Sequence, residues 1–129
     1  MKRFGRYLDK IKEPIMAGST RRHVFTEISK IDEYLQKVNS GKLVVAQFGA
    51  SWCAPCKKMK PIIKMLGEDN EDIESLYVDI DEHPELGENE DINELPTILL
   101  RKNGKYLDKI VGMNEEELLR AVNTHKIDN

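Results

Sequence analysis

The stretch SWCAPCKKMKP, residues 51–61, contains both cysteines of the chain, Cys53 and Cys56. Before it lies LVVAQF, residues 43–48, which is almost continuously apolar, as in a central strand that is covered on both faces. After the cysteines, apolar residues recur at helical spacing around Pro61. These residues are Met59, Ile62, Ile63 and Leu66. The cysteines therefore lie where a buried strand is predicted to end and a helix to begin.

This position favours a reactive thiol at Cys53. A thiolate, rather than a thiol, attacks a disulfide, and a free cysteine with a pKa of about 8.5 is mostly protonated at neutral pH. The unpaired N–H groups and the dipole at a helix N-terminus stabilise the anion. Pro55 suits a first helical turn because its φ angle is fixed and it lacks an N–H group. Cys56 follows one turn later, so the spacing predicts one attacking thiol and one thiol that resolves the mixed disulfide.

Two other interpretations of the cysteines remain open at this point. They could be half of a zinc site, but a closed tetrahedral site needs two further ligands. The chain has no second cysteine pair, and its histidines are scattered at His23, His83 and His125. The cysteines could also be buried and inert. We expect thiol–disulfide chemistry and no bound metal.

The rest of the chain alternates between short apolar runs and helical periodicity. We predict strands at residues 22–25, 43–48, 73–80, 97–101 and 105–111. We predict helices at residues 29–38, after the cysteines, at 84–92 and from 114 onward. The order βαβαβαββα indicates an α/β fold, with a mixed central β-sheet and helices on both faces.

Local signals support several of these elements. Ser29 is a candidate cap for the first of these helices, and Asn103-Gly104 is a strong hairpin signal. Asn114 and Glu117 resemble a capping box at the start of the last helix. The predicted apolar face of the first helix comprises Ile31, Tyr34, Leu35 and Val38. That of the last helix comprises Leu118, Leu119 and Val122.

Composition narrows the function classes. The chain has 129 residues and a net charge of −3, and this length suits one domain. Residues 1–22 carry seven Lys or Arg and two acids, which leaves a net charge of −8 on the remainder. An acidic body argues against nucleic-acid binding. We expect no transmembrane segment, no secretory signal and a cytoplasmic location, because apolar runs are short and two cysteines cannot form a spread disulfide framework.

The basic N-terminus is expected to be an extension, residues 1–21, ahead of the domain at 22–129. Its apolar residues fall on one helical face, and Pro14 would end that helix. It could dock on the domain, remain a loose tail, or bind a membrane surface or a partner. It could also be an organelle transit segment, which gives a mitochondrion-like location as the alternative.

Several motifs together resemble the thioredoxin family. WCAPCK, residues 52–57, is similar to the family's W-C-G-P-C-K. ELPT, residues 94–97, resembles its I-P-T, and VGM, residues 111–113, resembles its groove glycine segment. Pro61 matches the family's helix proline, and the order of elements is the thioredoxin order from about residue 22 to residue 126. The resemblance implies a thioredoxin fold with no cofactor beyond a redox-active disulfide.

The resemblance also implies roles for individual residues. Cys53 would be the exposed attacking thiol, Cys56 the buried resolving thiol, and Trp52 a shield that contacts substrate. A cis bond before Pro96 would let the backbone of Leu95 pair with an incoming peptide strand. The remaining residues of the substrate groove around Cys53 would be Ala54, Pro55, Ile80, Val111, Gly112 and Met113.

Departures from the family pattern lie close to the cysteines. Ala54 replaces the usual glycine, and Glu94 stands where a small residue is more common. Gln47 replaces a buried aspartate that takes the proton of the resolving thiol, and Tyr77 replaces the partner lysine of that aspartate. The joint loss avoids an unpaired buried charge. With Lys57, which follows the motif, Gln47 and Tyr77 are expected to tune the reactivity of the cysteines.

We expect a monomeric thiol–disulfide oxidoreductase that reduces protein disulfides and is recharged by thioredoxin reductase or a similar dithiol donor. The alternative from another class is a thioredoxin-fold binding module or assembly component in which the redox cycle is slow or unused. A third interpretation is an oxidant or isomerase, which the absence of a secretory signal disfavours.

Overall fold

The computed structural model describes residues 25–127. The expected N-terminal extension at 1–21 lies outside the described residues, as do three of the four residues of the predicted strand 22–25. The elements are β1 (Phe25–Glu27), α1 (Ile31–Val38), β2 (Leu43–Gly49), α2 (Ala54–Asp69), β3 (Ile73–Asp79), α3 (Pro84–Asn89), β4 (Thr97–Lys102), β5 (Lys105–Val111) and α4 (Glu115–Ile127). This is the predicted order βαβαβαββα.

The five strands form one mixed sheet in the order β1-β3-β2-β4-β5. The three strands β1, β3 and β2 are parallel, whereas β4 and β5 are antiparallel to their neighbours. In the β2–β3 pair, Gln47 is the register partner of Tyr77, and Gly49 is the partner of Asp79. Register partners point to the same face of a sheet. Gln47 and Tyr77 therefore share one face, and Gly49 follows Gln47 on that face at the carboxyl end of β2.

Hydrophobic residues cover both faces of the sheet, as the continuous apolar run at residues 43–48 predicted. On one face, α2 and α4 cover the sheet with Met59, Ile63, Leu118 and Val122. On the other face, α1 and α3 cover it with Tyr34, Val38 and Leu86. Strand β2 contributes alternate residues to the two clusters, with Val45 in the first and Val44 in the second. The helices thus lie on both faces.

Two of the predicted helix faces need correction. Leu35 in α1 and Leu119 in α4 are exposed by 47% and 39% of their surfaces, although both were assigned to apolar faces. Each directly follows a buried residue, Tyr34 or Leu118. Consecutive side chains are turned by about 100° around a helix, so only one of each pair reaches the sheet. In α4, Ala121 is buried in the position that was predicted for Leu119.

The starts of the helices follow local chemistry. In α4, Asn114 Oδ1 accepts a hydrogen bond from the Glu117 N–H at 3.1 Å, which is one of the two bonds of the predicted capping box. The Asn114 N–H donates to the Gly112 carbonyl instead of the Glu117 side chain. In α1, the cap is Lys30 rather than Ser29. Ser29 instead donates its N–H to the Glu33 carboxylate at 2.9 Å. Ser29 therefore lies one residue before the cap, held by the acid of the first turn.

The β4–β5 hairpin closes the exposed side of the sheet. Asn103 and Gly104 both have positive φ angles, 52° and 79°, as a tight primed turn requires. The Gly104 N–H donates to the Val38 carbonyl at 2.9 Å, which joins this turn to the end of α1. Strand β5 lies at the edge of the sheet.

No helix within residues 25–127 combines the length and apolar character that crossing a membrane requires.

Candidate active site

The two cysteines form a disulfide between the end of β2 and the first turn of α2. Their Cα atoms are 5.3 Å apart. Cys56 is completely buried, and Cys53 is exposed by 5% of its surface. Cys53 is thus more enclosed than its expected exposed position, because Ala50, Ile80 and Leu95 pack around the pair. It is nevertheless the only cysteine of the two with any accessible surface.

The start of α2 is arranged around the Cys53 sulfur. Cys53 is the N-cap residue, and its Sγ accepts a hydrogen bond from the Cys56 N–H at 3.2 Å. Pro55 occupies the first turn, where its missing N–H group costs no hydrogen bond. An N–H group that points at Sγ, together with the helix dipole, stabilises a thiolate once the disulfide is reduced. This geometry favours the thiolate form of Cys53.

The surface beside Cys53 is apolar and open. Trp52 is exposed by 69% of its surface, and its indole N–H donates to the Asp81 carboxylate at 2.9 Å. Val111 and Met113 are also exposed. Exposed large apolar side chains that cluster beside a reactive group are typical of a protein-binding surface.

The backbone joins the two sides of this surface. The Leu95–Pro96 peptide bond is cis. The Pro96 carbonyl accepts a hydrogen bond from the Gly112 N–H at 2.8 Å, and Gly112 has a φ of 88°, which favours glycine. The predicted groove residues Leu95, Pro96 and Gly112 are therefore close together. Ile80 and Leu95 are partly buried and pack against the cysteines.

Behind the cysteines lies Gln47, which is completely buried. Its Nε2 donates to the Cys56 carbonyl at 3.0 Å. Its Oε1 has no hydrogen-bond partner among residues 25–127. The amide therefore holds the first turn of α2 against β2, and it offers no group that ionises near Cys56.

Tyr77 is also buried on this face. The Lys60 ammonium lies 4.2 Å from the centre of the Tyr77 ring and pairs with the Glu27 carboxylate at 2.9 Å. Burial raises the pKa of the Tyr77 hydroxyl, and the nearby carboxylates of Asp79, Glu27 and Glu82 raise it further. The phenol therefore stays protonated at neutral pH.

A cavity of about 230 Å³ adjoins Tyr77. Most of its lining residues are polar or charged, and Ser51 and Lys57 of the active-site motif belong to it. The other lining residues are Glu27, Ile28, Ala50, Lys60, Tyr77, Asp79 and Glu82. Lys57, expected to tune the cysteines, thus faces this cavity, whereas the exposed Ala54 and Pro55 do not line it.

Three residues of the site escaped prediction. Asp81 binds the Trp52 indole, Lys60 stacks on Tyr77, and Gly49 separates Tyr77 from Cys56. All three depend on the β2–β3 register, which no local sequence signal specifies. Over the part of the chain described, residues 25–127, no cluster of three or more His, Cys, Asp or Glu is arranged to hold a metal ion.

Comparison with known proteins identifies related chains. The family model described as Thioredoxin matches residues 25–124. Thioredoxin H9 of Arabidopsis thaliana is 34% identical over 114 residues, which cover 88% of this chain and 81% of that protein. The thioredoxin of Ictalurus punctatus is 41% identical over 91 residues, which cover 68% of this chain and 85% of that protein.

Among solved structures, poplar thioredoxin h superposes with a TM-score of 0.73 at 31% identity. The superposition covers 81% of this chain and 97% of the poplar chain. The family model's match at residues 25–124 runs from β1 into α4, so it includes every element that builds the site described above.

Proposed function

The chain belongs to the thioredoxin family and is a thiol–disulfide oxidoreductase, and we propose that Cys53 attacks the substrate disulfide and Cys56 resolves the product. The observation that carries this assignment is the N–H group of Cys56, which points at the Cys53 Sγ at the start of α2. The accessible surface of Cys53 supports the same order, because an attacking sulfur must meet its substrate. Cys56 has no accessible surface, so a substrate sulfur cannot reach it directly.

The proposed reaction has two exchanges. The Cys53 thiolate attacks one sulfur of a protein disulfide, an S–S bond forms between them, and the other substrate sulfur leaves as a thiolate. Cys56 then loses its proton, and its thiolate attacks Cys53 Sγ. This step forms the Cys53–Cys56 disulfide and releases the second substrate thiol. Two electrons pass to the substrate, which is reduced, while the dithiol is oxidised to a disulfide.

We place the bound substrate on the surface formed by Trp52, Leu95–Pro96 and Val111–Met113. Trp52, Val111 and Met113 are exposed, and Leu95 packs against the cysteines. The hydrogen bond from Trp52 to Asp81 fixes the orientation of the indole beside that edge. The backbone of Leu95 is proposed to pair with an extended substrate segment, as in strand addition.

Members of the thioredoxin family act on protein disulfides and are reduced by thioredoxin reductase. We propose that this chain is recharged by that reductase or a similar dithiol donor, that it works as a monomer, and that it uses no nucleic acid. The binding-module alternative is not favoured, because the two cysteines lie at disulfide distance in a chain whose relatives are thioredoxins.

For location, we propose the cytoplasm, with an organelle such as the mitochondrion as the alternative. The alternative draws support from the likeness to mitochondrial thioredoxin 3 of Saccharomyces cerevisiae. That structure is 28% identical, with a TM-score of 0.71, and the superposition covers 78% of this chain and 94% of the yeast chain.

The cysteine roles are tested by two matched substitutions. Cys56→Ser is expected to stop after the first exchange, with one substrate thiol released and a stable mixed disulfide on Cys53. Cys53→Ser is expected to release no thiol. Mass spectrometry of the trapped species identifies the sulfur that attacked. A mixed disulfide on Cys56 in the Cys53→Ser protein would contradict the assignment. A reduction potential near that of thioredoxin, about −270 mV, is expected for the pair.

A further inference from the structure

The Tyr77 hydroxyl and the Cys56 sulfur approach the same small space beside Gly49. A Cβ atom at Gly49 would lie 2.7 Å from Tyr77 Oη and 3.1 Å from Cys56 Sγ. Two atoms at these distances from one point are separated by no more than the sum of the distances. The hydroxyl is therefore within reach of the resolving sulfur, directly or through one water molecule. Gly49 has no side chain, so this residue places no atom between the hydroxyl and the sulfur.

Other groups hold the Tyr77 ring in this place. Lys60 lies over its face from α2, and Glu27 of β1, the register partner of Tyr77, pairs with Lys60. On the other side, Gln47 is its register partner in β2. The ring is thus fixed from the helix and from both neighbouring strands, while its hydroxyl faces the cysteine side of the sheet.

The resolving step has a proton to dispose of. Cys56 must become a thiolate before it attacks Cys53, and it is completely buried. Burial in apolar surroundings raises the pKa of a thiol, which makes the proton harder to remove. Gln47 hydrogen-bonds to the Cys56 carbonyl and cannot act as a base at any ordinary pH. The proton therefore needs a route to water.

We propose that Tyr77 relays the proton of Cys56 to the adjoining cavity during resolution. This role rests on the proposed function of Cys56. The Cys56 proton moves to Tyr77 Oη, directly or through a water molecule above Gly49, as the Tyr77 proton moves to water in the cavity. The Cys56 thiolate then attacks Cys53 Sγ. Tyr77 ends as it began, a neutral phenol, and the proton leaves through the cavity.

The charges around the cavity suit this direction of transfer. Glu27 faces it from β1, Lys57 and Lys60 face it from α2, and Asp79 and Glu82 face it from the end of β3. The three carboxylates can accept or stabilise a departing proton. They also contribute to the raised pKa of Tyr77, which keeps the phenol protonated and able to donate. Tyr77 consequently transfers a proton without being ionised itself.

The test is Tyr77→Phe in a single-turnover reaction with a peptide disulfide that releases its two thiols in separate phases. The first phase reports attack by Cys53, and the second reports resolution by Cys56. At pH about 6.5 the substitution is expected to slow the second phase at least tenfold and to leave the first unchanged. This is below the about 10²–10⁴-fold contribution of a direct acid–base group, because slow exchange with cavity water persists.

The pH profile separates proton transfer from a structural effect. As the pH rises above the pKa of the Cys56 thiol, the thiolate forms without help, so the rates of Tyr77→Phe and wild type are expected to converge. A deficit of the same size at every pH, or no deficit at low pH, overturns the proposal. Absence of the second phase in wild type would instead contradict the proposed role of Cys56. Tyr106→Phe, on the distant strand β5, is the matched control and is expected to behave as wild type.

Gly49→Ala provides a second test, which relies on the pH profile because the new methyl group would also lie 3.1 Å from Cys56 Sγ. Its methyl group would come within 2.7 Å of Tyr77 Oη, so the hydroxyl must move away from the space that it shares with Cys56. The same pH-dependent slowing of the second phase is expected, in a protein whose tyrosine is intact. A second phase with the wild-type rate at low pH in a folded Gly49→Ala protein also overturns the proposal.

Discussion

Gln47 shows how one buried side chain sets both stability and chemistry. It is neutral, completely enclosed, and bonded to the Cys56 carbonyl through its Nε2. A carboxylate at the same position would lose that donor and bury a charge, and Tyr77 offers no opposite charge to it. Glutamine at this position therefore favours a stable fold, whereas a carboxylate would favour rapid proton removal from Cys56.

The Gln47→Asp substitution separates these two effects. Burial of an unpaired carboxylate is expected to lower the free energy of unfolding by about 3 kcal/mol at neutral pH. The same carboxylate is expected to speed resolution by Cys56, because it can accept the thiol proton. Denaturant unfolding measures the first effect, and the single-turnover release of the second substrate thiol measures the other. A variant that is destabilised but no faster would contradict the proton-transfer argument.

At this scale, the motif identified the reacting residues but not their surroundings. Cys53 and Cys56 could be placed by their spacing, and Pro96 by the resemblance of residues 94–97 to the family's I-P-T motif. Gly49 and Lys60 could not, because their importance arises from contacts with Tyr77 that require the aligned β2 and β3 strands. No local sequence pattern indicates that the side chains of Tyr77 and Cys56 approach each other beside Gly49.

Among the elements, the β4–β5 hairpin joins the sheet to the end of α1. Its turn is held by the Gly104 N–H, which bonds to the Val38 carbonyl, and by the Gly104 carbonyl, which accepts from Arg101 at 2.7 Å. The turn was predicted because Asn-Gly is favoured at two consecutive positive φ angles. Its attachment to α1 was not predictable, because residue 38 at the end of that helix lies 66 positions before residue 104 in the sequence.

Two glycines in this region provide a matched pair of substitutions. Gly41 and Gly104 both have positive φ angles, 94° and 79°, so alanine at either position is expected to cost about 1–2 kcal/mol of backbone strain. A Cβ at Gly41 meets nothing within 4 Å, whereas one at Gly104 would lie 2.8 Å from Asn39 Oδ1. Gly104→Ala is therefore expected to be the more destabilising in denaturant unfolding. Equal losses would show that Asn39 moves away freely.

The element order and the central strands were predictable because continuous apolar runs are typical of strands that are covered on both faces. The orientation of the helices was less so. Leu35 and Leu119 fit helical spacing as well as their buried neighbours do, yet they point to solvent. Periodicity defines a stripe of apolar residues, but the tilt of the helix on the sheet decides which edge of that stripe is buried.

At the scale of the whole molecule, a second polar cluster lies between α1, α3 and the hairpin. Arg101 and Glu90 form a buried ion pair at 2.6 Å, and the Tyr106 hydroxyl donates to the same carboxylate. Tyr34 is completely buried nearby. Burial, and then the Glu90 carboxylate, raise the pKa of Tyr34 well above its usual range.

Because of this raised pKa, the free energy of unfolding is expected to decrease as the pH rises in the alkaline range. Tyrosine in the unfolded chain ionises near pH 10, whereas folded Tyr34 remains protonated, so ionisation favours the unfolded state as the pH rises above that value. The free energy of unfolding is expected to fall by about 1.4 kcal/mol from this residue between about pH 8 and pH 11. Urea unfolding at both values should show a smaller decline in Tyr34→Phe. An equal decline in the two proteins would assign the effect to other tyrosines.

The edge strand β5 has a consequence for behaviour at high concentration. An unpaired strand edge is a template on which further chains can add, and long flat apolar edges promote fibrils. Here the edge carries Lys105, Asp108 and Lys109, and the β4–β5 register shifts at Leu100/Arg101. Charges and an irregular register both discourage another strand from aligning with it. The outer margin of the sheet therefore disfavours aggregation, while the apolar surface at Trp52 stays available to other proteins.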